Sequence, residues 1–253
     1  LQQEFIQGFI SCDHDMVETP GDAKLLSFLY EHDHASPFGV AGAIQIEVSA
    51  PIFVFREWHR HRTQLVLTDD TGDVTESEIN EFSARYAQMP DIHWLPALER
   101  VVRQSKVNKQ GGAEPIEKDK AALVLEVMRR EQEDVYASYQ AWINEVGIAK
   151  EVARLNTPVS RYSKMRTTAT LRNWLMFLKL RMAPSAQQEI REFANAVGEI
   201  VRGLFPRTFE LFLNWDLHGV KLSRSEVESL RRIMRDHAYL PADQSLLKKL
   251  GYS

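Results

Sequence analysis

The sequence has little cysteine, because Cys12 is the only thiol among its 253 residues. One thiol excludes an internal disulfide and a thiolate-rich zinc or iron–sulfur site within the chain, and it fits a reducing compartment. No apolar run approaches the roughly 18 to 20 residues that a membrane helix needs. The first ten residues, LQQEFIQGFI, also lack the basic and apolar regions of a signal peptide. We therefore expect a cytoplasmic protein that has no membrane partner.

The sequence also lacks the common nucleotide-binding and nucleophile motifs. It contains no Gly-x-Ser-x-Gly, no P-loop and no Gly-x-Gly-x-x-Gly. A net charge of −4 gives no overall attraction to nucleic acid, so an anion site must come from local clusters of arginine, and we expect no nucleic-acid partner. With 44% hydrophobic and 26% charged residues, the composition is that of an ordinary globular protein.

Apolar periodicity predicts a mixed α+β chain. Residues 22–32 and 117–146 carry apolar side chains at helical spacing. AIQIEVS, at residues 43–49, alternates apolar and polar residues as a strand with one buried face does. The stretch PIFVFREWHRHR then predicts a helix that begins near Pro51 and delivers its far end to a site.

A second strand followed by helices is predicted further along the chain. SRYSKMRTTAT, at residues 160–170, is rich in strand formers, and LRNWLMFLKLR, at 171–181, has the spacing of a helix. Residues 184–205 predict another helix with Pro184 in its first turn. NKQGGAEP, at residues 108–115, is predicted to be a loop.

Residues 56–62 concentrate positive charge, because they contain Arg56, Arg60 and Arg62 together with His59 and His61. Guanidinium groups bind phosphate through two parallel hydrogen bonds, which favours an anion site, although a solvated basic helix end is the alternative interpretation. Residues two apart project to different sides of a helix, and no Asp, Glu or Cys set completes a ligand shell around the two histidines. We therefore predict no metal site.

Further arginines occur beside acidic and hydroxyl residues. NEFSARY, at residues 80–86, and KEVARL, at 150–155, each contain an arginine and a glutamate. Arg181 ends one predicted helix just before another begins, and a helix N-terminus favours an anion. An anionic ligand would therefore be held by groups gathered from several segments, or from several subunits.

These segments together resemble the flavin-dependent thymidylate synthases. The signature of that family runs Arg-His-Arg, two residues, Ser, one residue, Asn-Glu, one residue, Ser, one residue, Arg-Tyr, and its halves here are RHRTQ at residues 60–64 and NEFSARY at 80–86. The likeness extends over about residues 22–215 through HDHASPF, APIFVFREWHRHR, AKEVAR and LRNWLMFLKLRMAPSAQQEIREFA.

The resemblance implies an α+β fold, with a small antiparallel sheet and long helices, that assembles as a homotetramer with active sites between subunits. It implies FAD as the cofactor, dUMP as the substrate, NADPH as the reductant and methylenetetrahydrofolate as the carbon donor, with dTMP as the product. No cysteine attacks uracil in this family, which agrees with a lone Cys12 outside the signature. We expect the catalytic domain over residues 1–217 and a helical extension over 218–253, with Ser223 and Glu226 as a capping box.

The site residues are implied by matching positions of the family motifs. Arg181 matches the catalytic arginine, which binds uracil and favours ionisation of its ring nitrogen N3. The positions that match dUMP-binding residues are Glu57, Trp58, His59, Arg60, Glu81, Ser83, Ala84, Arg85, Arg154 and Arg181. Those that match FAD-binding residues are Ser36, Arg60, His61, Arg62, Glu81, Thr170, Leu171, Arg172 and Met176, and His34 matches a histidine on the flavin and folate side.

The chain departs from the family pattern at some of these positions. Many members have Gln where Glu57 stands, and Asn is common where Thr170 and Met176 stand. Met176 cannot replace the hydrogen bonds of an amide.

An acidic insert at residues 65–79 interrupts the signature, with fifteen residues where the family pattern has two. It carries five acidic residues, no basic residue and the turn-forming sequence DDTGD, so we expect a solvated loop. Thr75 and Glu78 have the spacing of a capping box, which predicts a helix that carries Glu81, Ser83 and Arg85 back to the site. The interruption leaves two alternatives open: a related flavoprotein that oxidises NAD(P)H but is impaired in methyl transfer, and a non-enzymatic module that binds anions or nucleic acid.

Overall fold

A computed structural model describes residues 20–39, 43–61, 79–107 and 111–236, with short pieces at 67–68, 74–76, 109 and 246. The chain divides into two compact units, Leu1–Phe209 and Glu210–Ser253. None of the helices within the described ranges is long and apolar enough to cross a membrane. The functional boundary expected at residue 217 stays a prediction.

Helices and strands are interspersed along the chain. The helices are α1 (Pro20–Glu31), α2 (Ala35–Gly39), α3 (Ile52–Trp58), α4 (Lys118–Asn144), α5 (Lys150–Ala153), α6 (Leu171–Arg181), α7 (Gln188–Leu204), α8 (Pro206–Phe212) and α9 (Arg224–Asp236). The strands are β1 (Ala43–Pro51), β2 (Leu67–Thr68), β3 (Val74–Glu76), β4 (Ile79–Glu81), β5 (Val102–Gln104), β6 (Gly112–Pro115) and β7 (Tyr162–Thr170). Short 3₁₀ turns occupy Leu98–Arg100 and Arg154–Asn156, and a π-helical turn occupies Leu213–Leu217.

The main sheet is antiparallel, with β7 at its centre, β1 on one side and β4 on the other. Ile44, Ile46 and Val48 of β1 are buried while Gln45 and Glu47 between them are exposed, which confirms the strand predicted from alternation. β1 leads directly into α3 and β7 leads directly into α6, so neighbouring strands of the sheet position these two helices.

Helices α3 and α6 are joined by aromatic packing. Trp58 of α3 is fully buried, with its ring centroid 4.6 Å from that of Phe177 and 6.1 Å from that of Trp174. Trp174 Nε1 also donates a hydrogen bond to the Ile44 carbonyl, 3.1 Å away, which ties α6 to β1. The helices predicted at Pro51 and at residues 171–181 are confirmed, and their C-terminal ends lie together, since Arg181 contacts Glu57.

Three local predictions are wrong. Thr75 lies in β3, which pairs with β2, and residues 79–81 form β4, so no helix restarts after the insert. The ladder of β4 to Thr167, Arg166 and Met165 of the central strand outweighs the local capping spacing. Residues 112–115, predicted as loop, pair with β5 as a strand. Finally, α7 begins at Gln188 rather than Pro184, after extended backbone at Gln187.

Arg161, a buried arginine just before β7, connects helix α4 to residues 90–93. The Arg161 side chain has no exposed surface, donates to the Pro90 carbonyl and to His93 Nε2, and lies with its guanidinium carbon 4.4 Å from the centre of the Tyr136 ring. Burial lowers the pKa of Arg161, and burial followed by the charge of Arg161 lowers the pKa of His93. This network holds residues 90–93 against the long helix.

The second unit contains the predicted capping box. Ser223 N donates to Glu226 Oε2 over 2.7 Å, and Glu226 N donates to Ser223 Oγ over 3.4 Å. The two hydrogen bonds satisfy backbone groups at the start of α9 and confirm the predicted helix start.

Candidate functional site

The structure divides the predicted site residues into three groups. The Arg181 cluster lies where α3 and α6 end and consists of Glu57, Trp58, His59, Arg60, His61 and Arg181. The Arg85 cluster consists of Glu81, which ends β4, of Ser83, Ala84 and Arg85 just after it, and of Arg154, which follows α5. The Thr170 group consists of Thr170, Leu171 and Arg172 at the start of α6, together with His34 and Ser36 at the start of α2, a helix that contacts α6. Arg62 lies outside the described residues.

Arg181 is held at the end of α3 by Glu57. Its Nη2 donates to the Glu57 carbonyl oxygen over 2.8 Å, and its Nη1 lies 3.4 Å from Glu57 Oε2. The Arg181 side chain is 17% exposed, so its charge is largely removed from solvent. The predicted helix N-terminus next to Arg181 is absent because α7 starts later, and the arginine instead meets the carbonyl end of α3, where a helix favours cations.

His61 adds an uncharged imidazole to the Arg181 cluster. Its ring packs edge-on against Phe177 with 4.9 Å between centroids. Burial, and then the nearby Arg181 charge, lower the pKa of His61 to about 4. The ring is therefore neutral at neutral pH and can both donate and accept one hydrogen bond.

Three buried polar atoms of the Arg181 cluster have no hydrogen-bond partner among the described residues. They are Trp58 Nε1, His61 Nε2 and Arg181 Nε. Buried polar groups normally find a partner, and unsatisfied ones cost free energy. These three of the five such atoms among the described residues lie where two helices end, so the Arg181 cluster has hydrogen bonds to offer a ligand.

Lowering the pH is expected to lower the thermal midpoint of unfolding, partly through His61. The pKa of His61 is about 4 in the folded chain and 6.5 for an ordinary histidine, as in the unfolded chain. As the pH falls, the unfolded chain therefore binds this proton before the folded chain does. The contribution of His61 is complete above about pH 6.5, declines as the pH falls toward about 4 and is constant below that. Midpoints measured from pH 7.5 to 4.5 should fall less steeply in a His61→Gln variant.

The matched control for this pH series is His32→Gln, which changes an exposed histidine on the C-terminal side of α1. Its midpoint should follow that of the wild-type chain at every pH. A His61→Gln profile as steep as the wild-type profile would contradict a lowered pKa at this position.

The Arg85 cluster is built on a separate apolar core. Ala84 is buried with Met89, Tyr139 and Ala153, which fixes the segment after β4 against α4 and α5. Arg85 Nε lies 3.2 Å from Glu151 Oε2, and both side chains are more than half exposed. Arg154 follows Ala153 directly, is partly buried and has no side-chain partner among the described residues, so two arginines are attached to the same apolar core.

The Arg85 and Arg181 clusters lie toward opposite ends of α3. Ile52, the first residue of α3, packs against the core of the Arg85 cluster, whereas Trp58, its last, belongs to the Arg181 cluster. The six residue steps from Ile52 to Trp58 span about 9 Å along the helix axis. His59 turns toward the sheet instead, with its Nε2 3.3 Å from Met165 Sδ.

The Thr170 group lies at the other end of α6 from Arg181. Thr170 is the N-cap, and its hydroxyl accepts a hydrogen bond from Asn173 N over 3.4 Å. Helix α2 contacts α6, and Ser36 and Arg172 are both exposed while Leu171 is buried. Met176, 45% exposed, lies between the two ends of α6.

The sequence did not single out Phe177, and it indicated the glutamate of KEVARL, Glu151, without its partner. Phe177 packs on both Trp58 and His61, and Glu151 pairs with Arg85. Phe177 lies four residues before Arg181, so helical spacing places both on one face of α6 and could have indicated it. The pairing of Glu151 leaves no comparable signal, because its partner is 66 residues away.

Comparisons with known proteins agree on one family. A family model described as thymidylate synthase complementing protein matches residues 6–207. A flavin-dependent thymidylate synthase of Anaplasma marginale is 36% identical over 217 residues, covering 86% of this chain and 69% of that protein. The one from Thermus thermophilus is 37% identical over 225 residues, with coverage of 89% and 76%. The one from Dictyostelium discoideum is 34% identical over 210 residues, covering 83% of this chain and 64% of that protein.

Two similar solved structures are crystal structures of a UMP/dUMP methylase, PolB, from Streptomyces cacaoi. The structure bound with 5-Br dUMP has a TM-score of 0.67 and 29% identity, and covers 80% of this chain and 84% of that chain. The structure bound with 5-Br UMP has a TM-score of 0.68 and 27% identity, with coverage of 85% and 90%.

Proposed function

This chain belongs to the thymidylate synthase complementing protein family, and we propose that it is a flavin-dependent thymidylate synthase that methylates dUMP to dTMP. Relatives carrying that name cover most of its length, and the similar solved structures hold a uridine nucleotide analogue. The observation that carries the proposal is Arg181, a largely buried cation whose Nε has no hydrogen-bond partner among the described residues and which lies with two other such atoms, Trp58 Nε1 and His61 Nε2, where α3 and α6 end.

Arg181 is the residue we assign to the uracil ring. A cation fixed in a water-poor site stabilises an anion that forms beside it, so the guanidinium favours ionisation of the uracil N3. Loss of the N3 proton raises the electron density of the ring and so activates C5 toward the one-carbon unit. The 2.8 Å hydrogen bond to the Glu57 carbonyl fixes the guanidinium before the substrate arrives.

The remaining nucleotide contacts are assigned to the Arg85 cluster and the end of α3. Ser83, Arg85 and Arg154 offer a hydroxyl and two guanidinium groups, which suit a phosphate. The backbone around Trp58 and Ala84 contributes by position, because both side chains are buried in the core.

The residues fit a bound FAD. Neutral His61 leaves its Nε2 without a partner among the described residues, and Arg60 and Arg172 are exposed cations, each of which suits a phosphate oxygen of the cofactor. Thr170 adds a hydroxyl group at the start of α6, and Ser36 adds one on α2, which contacts α6. FAD would supply the reducing equivalents for methyl formation. Met176 offers no amide, so that contact is weaker than in family members with Asn.

NADPH and methylenetetrahydrofolate complete the proposed reaction as reductant and carbon donor. We propose a homotetramer in which the Arg85 cluster of one protomer faces the Arg181 cluster of another. A site shared between subunits would bring together these two clusters, which lie toward opposite ends of α3 in one chain. Exposed Leu123, Val124 and Val127 on α4 support self-association, because contiguous apolar surface marks interfaces.

The test is formation of dTMP by the purified chain supplied with FAD, dUMP, NADPH and methylenetetrahydrofolate, measured by chromatography. We expect the absorbance band of oxidised flavin, and dTMP formation that requires every component. NADPH oxidation without dTMP would favour the impaired flavoprotein instead, and a colourless protein that binds polyanions in a salt-dependent manner would favour the anion-binding module. UMP is the matched substrate control. Comparing it with dUMP shows whether the chain distinguishes the ribonucleotide from the deoxyribonucleotide, a question raised by the similar structures, which belong to a UMP/dUMP methylase.

A further inference from the structure

Glu57 holds the Arg181 guanidinium in two different ways. The first is the 2.8 Å hydrogen bond from Nη2 to its backbone carbonyl, which does not depend on the side chain. The second is the 3.4 Å approach of Nη1 to Oε2, which brings a full negative charge to the same arginine. The Glu57 carboxylate can therefore move away from Arg181 while the hydrogen bond to the Glu57 carbonyl keeps the guanidinium in position.

The two partners differ in their access to solvent. The Glu57 side chain is 37% exposed and the Arg181 side chain 17%. A largely buried cation needs a nearby negative charge or hydrogen-bond acceptors to offset lost hydration. The carboxylate of Glu57 supplies this charge, and its exposure allows it to turn toward water when another anion reaches Arg181.

On the basis of the proposed function, we propose that Glu57 is an internal counter-ion that uracil must displace from Arg181. A carboxylate and an ionised uracil N3 are both anions, and each weakens the binding of the other to one guanidinium. Glu57 therefore keeps Arg181 neutralised in the absence of nucleotide and lowers the affinity for the ionised ring. It acts as a positioning and specificity residue through Arg181.

The effect of the Glu57 charge on binding depends on how acidic the uracil N3 of the nucleotide is. Bromine at C5 withdraws electrons and makes the uracil N3 more acidic, so 5-bromo-dUMP ionises at lower pH than dUMP. The binding of dUMP near neutral pH requires Arg181 to favour loss of the N3 proton, and a competing carboxylate opposes this. Glu57 should accordingly shift the pH at which bound dUMP ionises.

Glu57→Gln is the variant that separates charge from shape. It keeps the side-chain size and the backbone carbonyl and removes only the negative charge. We expect dUMP to bind about tenfold more tightly at pH 7, and the ultraviolet signature of ionised uracil in the complex to appear at a pH about one unit lower. Binding is measured by titration calorimetry and ionisation by difference spectra from pH 6 to 9, with dUMP and with 5-bromo-dUMP.

The matched control is Glu47→Gln, which removes a carboxylate paired with Arg166 on the exposed face of the sheet. Its affinity and ionisation pH should equal those of the wild-type chain. Glu57→Ala is a second variant, which should also bind dUMP more tightly because the backbone contact remains. Thermal midpoints show that each variant is folded.

The outcomes separate the inference from the proposed function. If the wild-type chain binds dUMP and Glu57→Gln binds it no more tightly, or ionises it at an unchanged pH, the counter-ion role is overturned while the proposed function stands. If the wild-type chain with bound FAD does not bind dUMP, the proposed function fails and the inference fails with it.

Discussion

Replacing Arg181 with alanine is expected to lower the rate of dTMP formation by about a thousandfold or more while the protein retains most of its flavin. Removing one preorganised donor to a developing anion costs about a hundred- to a thousandfold in kcat, and Arg181 carries a full charge in a largely buried site. FAD is assigned to other residues, mainly His61, Arg60 and the Thr170 group, so it should stay bound. Rates by chromatography and flavin content by absorbance measure the two effects separately.

The matched control for this variant is Arg202→Ala, which removes an exposed arginine of α7 that pairs with Glu199 one turn away. Its dTMP formation should be unchanged. Because Arg181 also binds the Glu57 carbonyl, the thermal midpoint of Arg181→Ala must be compared with that of the wild-type chain. A folded Arg181→Ala variant with full flavin and unchanged dTMP synthesis would refute the assignment.

The sequence predicted much of the fold because its periodic segments are long. The alternation in β1 and the helical spacing of α4 and α6 each repeat over several residues, and burial follows the same period. β4 was missed because three residues carry little periodicity and its formation depends on pairing with β7, more than 80 residues away. A capping spacing is local information only, and the nonlocal ladder decided the structure of this segment.

The candidate site was predictable in its residue types but not in its internal contacts. Arginines beside histidines and hydroxyl groups indicated anion binding, and the family resemblance assigned positions to them. The contact between Glu57 and Arg181 joins residues 124 apart, and no local pattern indicates which acid faces which base. Likewise Arg161 and Arg166 lie five residues apart in one stretch, yet the first is fully buried and the second is exposed.

Replacing Arg161 with alanine is expected to lower the free energy of unfolding by about 3–5 kcal/mol, which is typical when one member of a buried charged network is removed. The change leaves the Pro90 carbonyl and His93 without their partner and opens a cavity beside Tyr136. Part of the loss is offset, because the desolvation cost of a buried cation disappears. Urea unfolding followed by circular dichroism measures the effect.

Arg161→Met separates packing from charge within the same site. Methionine fills much of the volume of the arginine stem, so the cavity cost falls and the loss of stability should be about 1–2 kcal/mol smaller than in the alanine variant. The unsatisfied Pro90 carbonyl remains, since a thioether cannot donate a hydrogen bond. Arg166→Ala is the matched control, because exposed ion pairs such as that with Glu47 contribute little to stability. An Arg161→Ala variant within about 1 kcal/mol of the wild-type chain would show that residues 90–93 are held to α4 by other contacts, because loss of a buried network costs more than that.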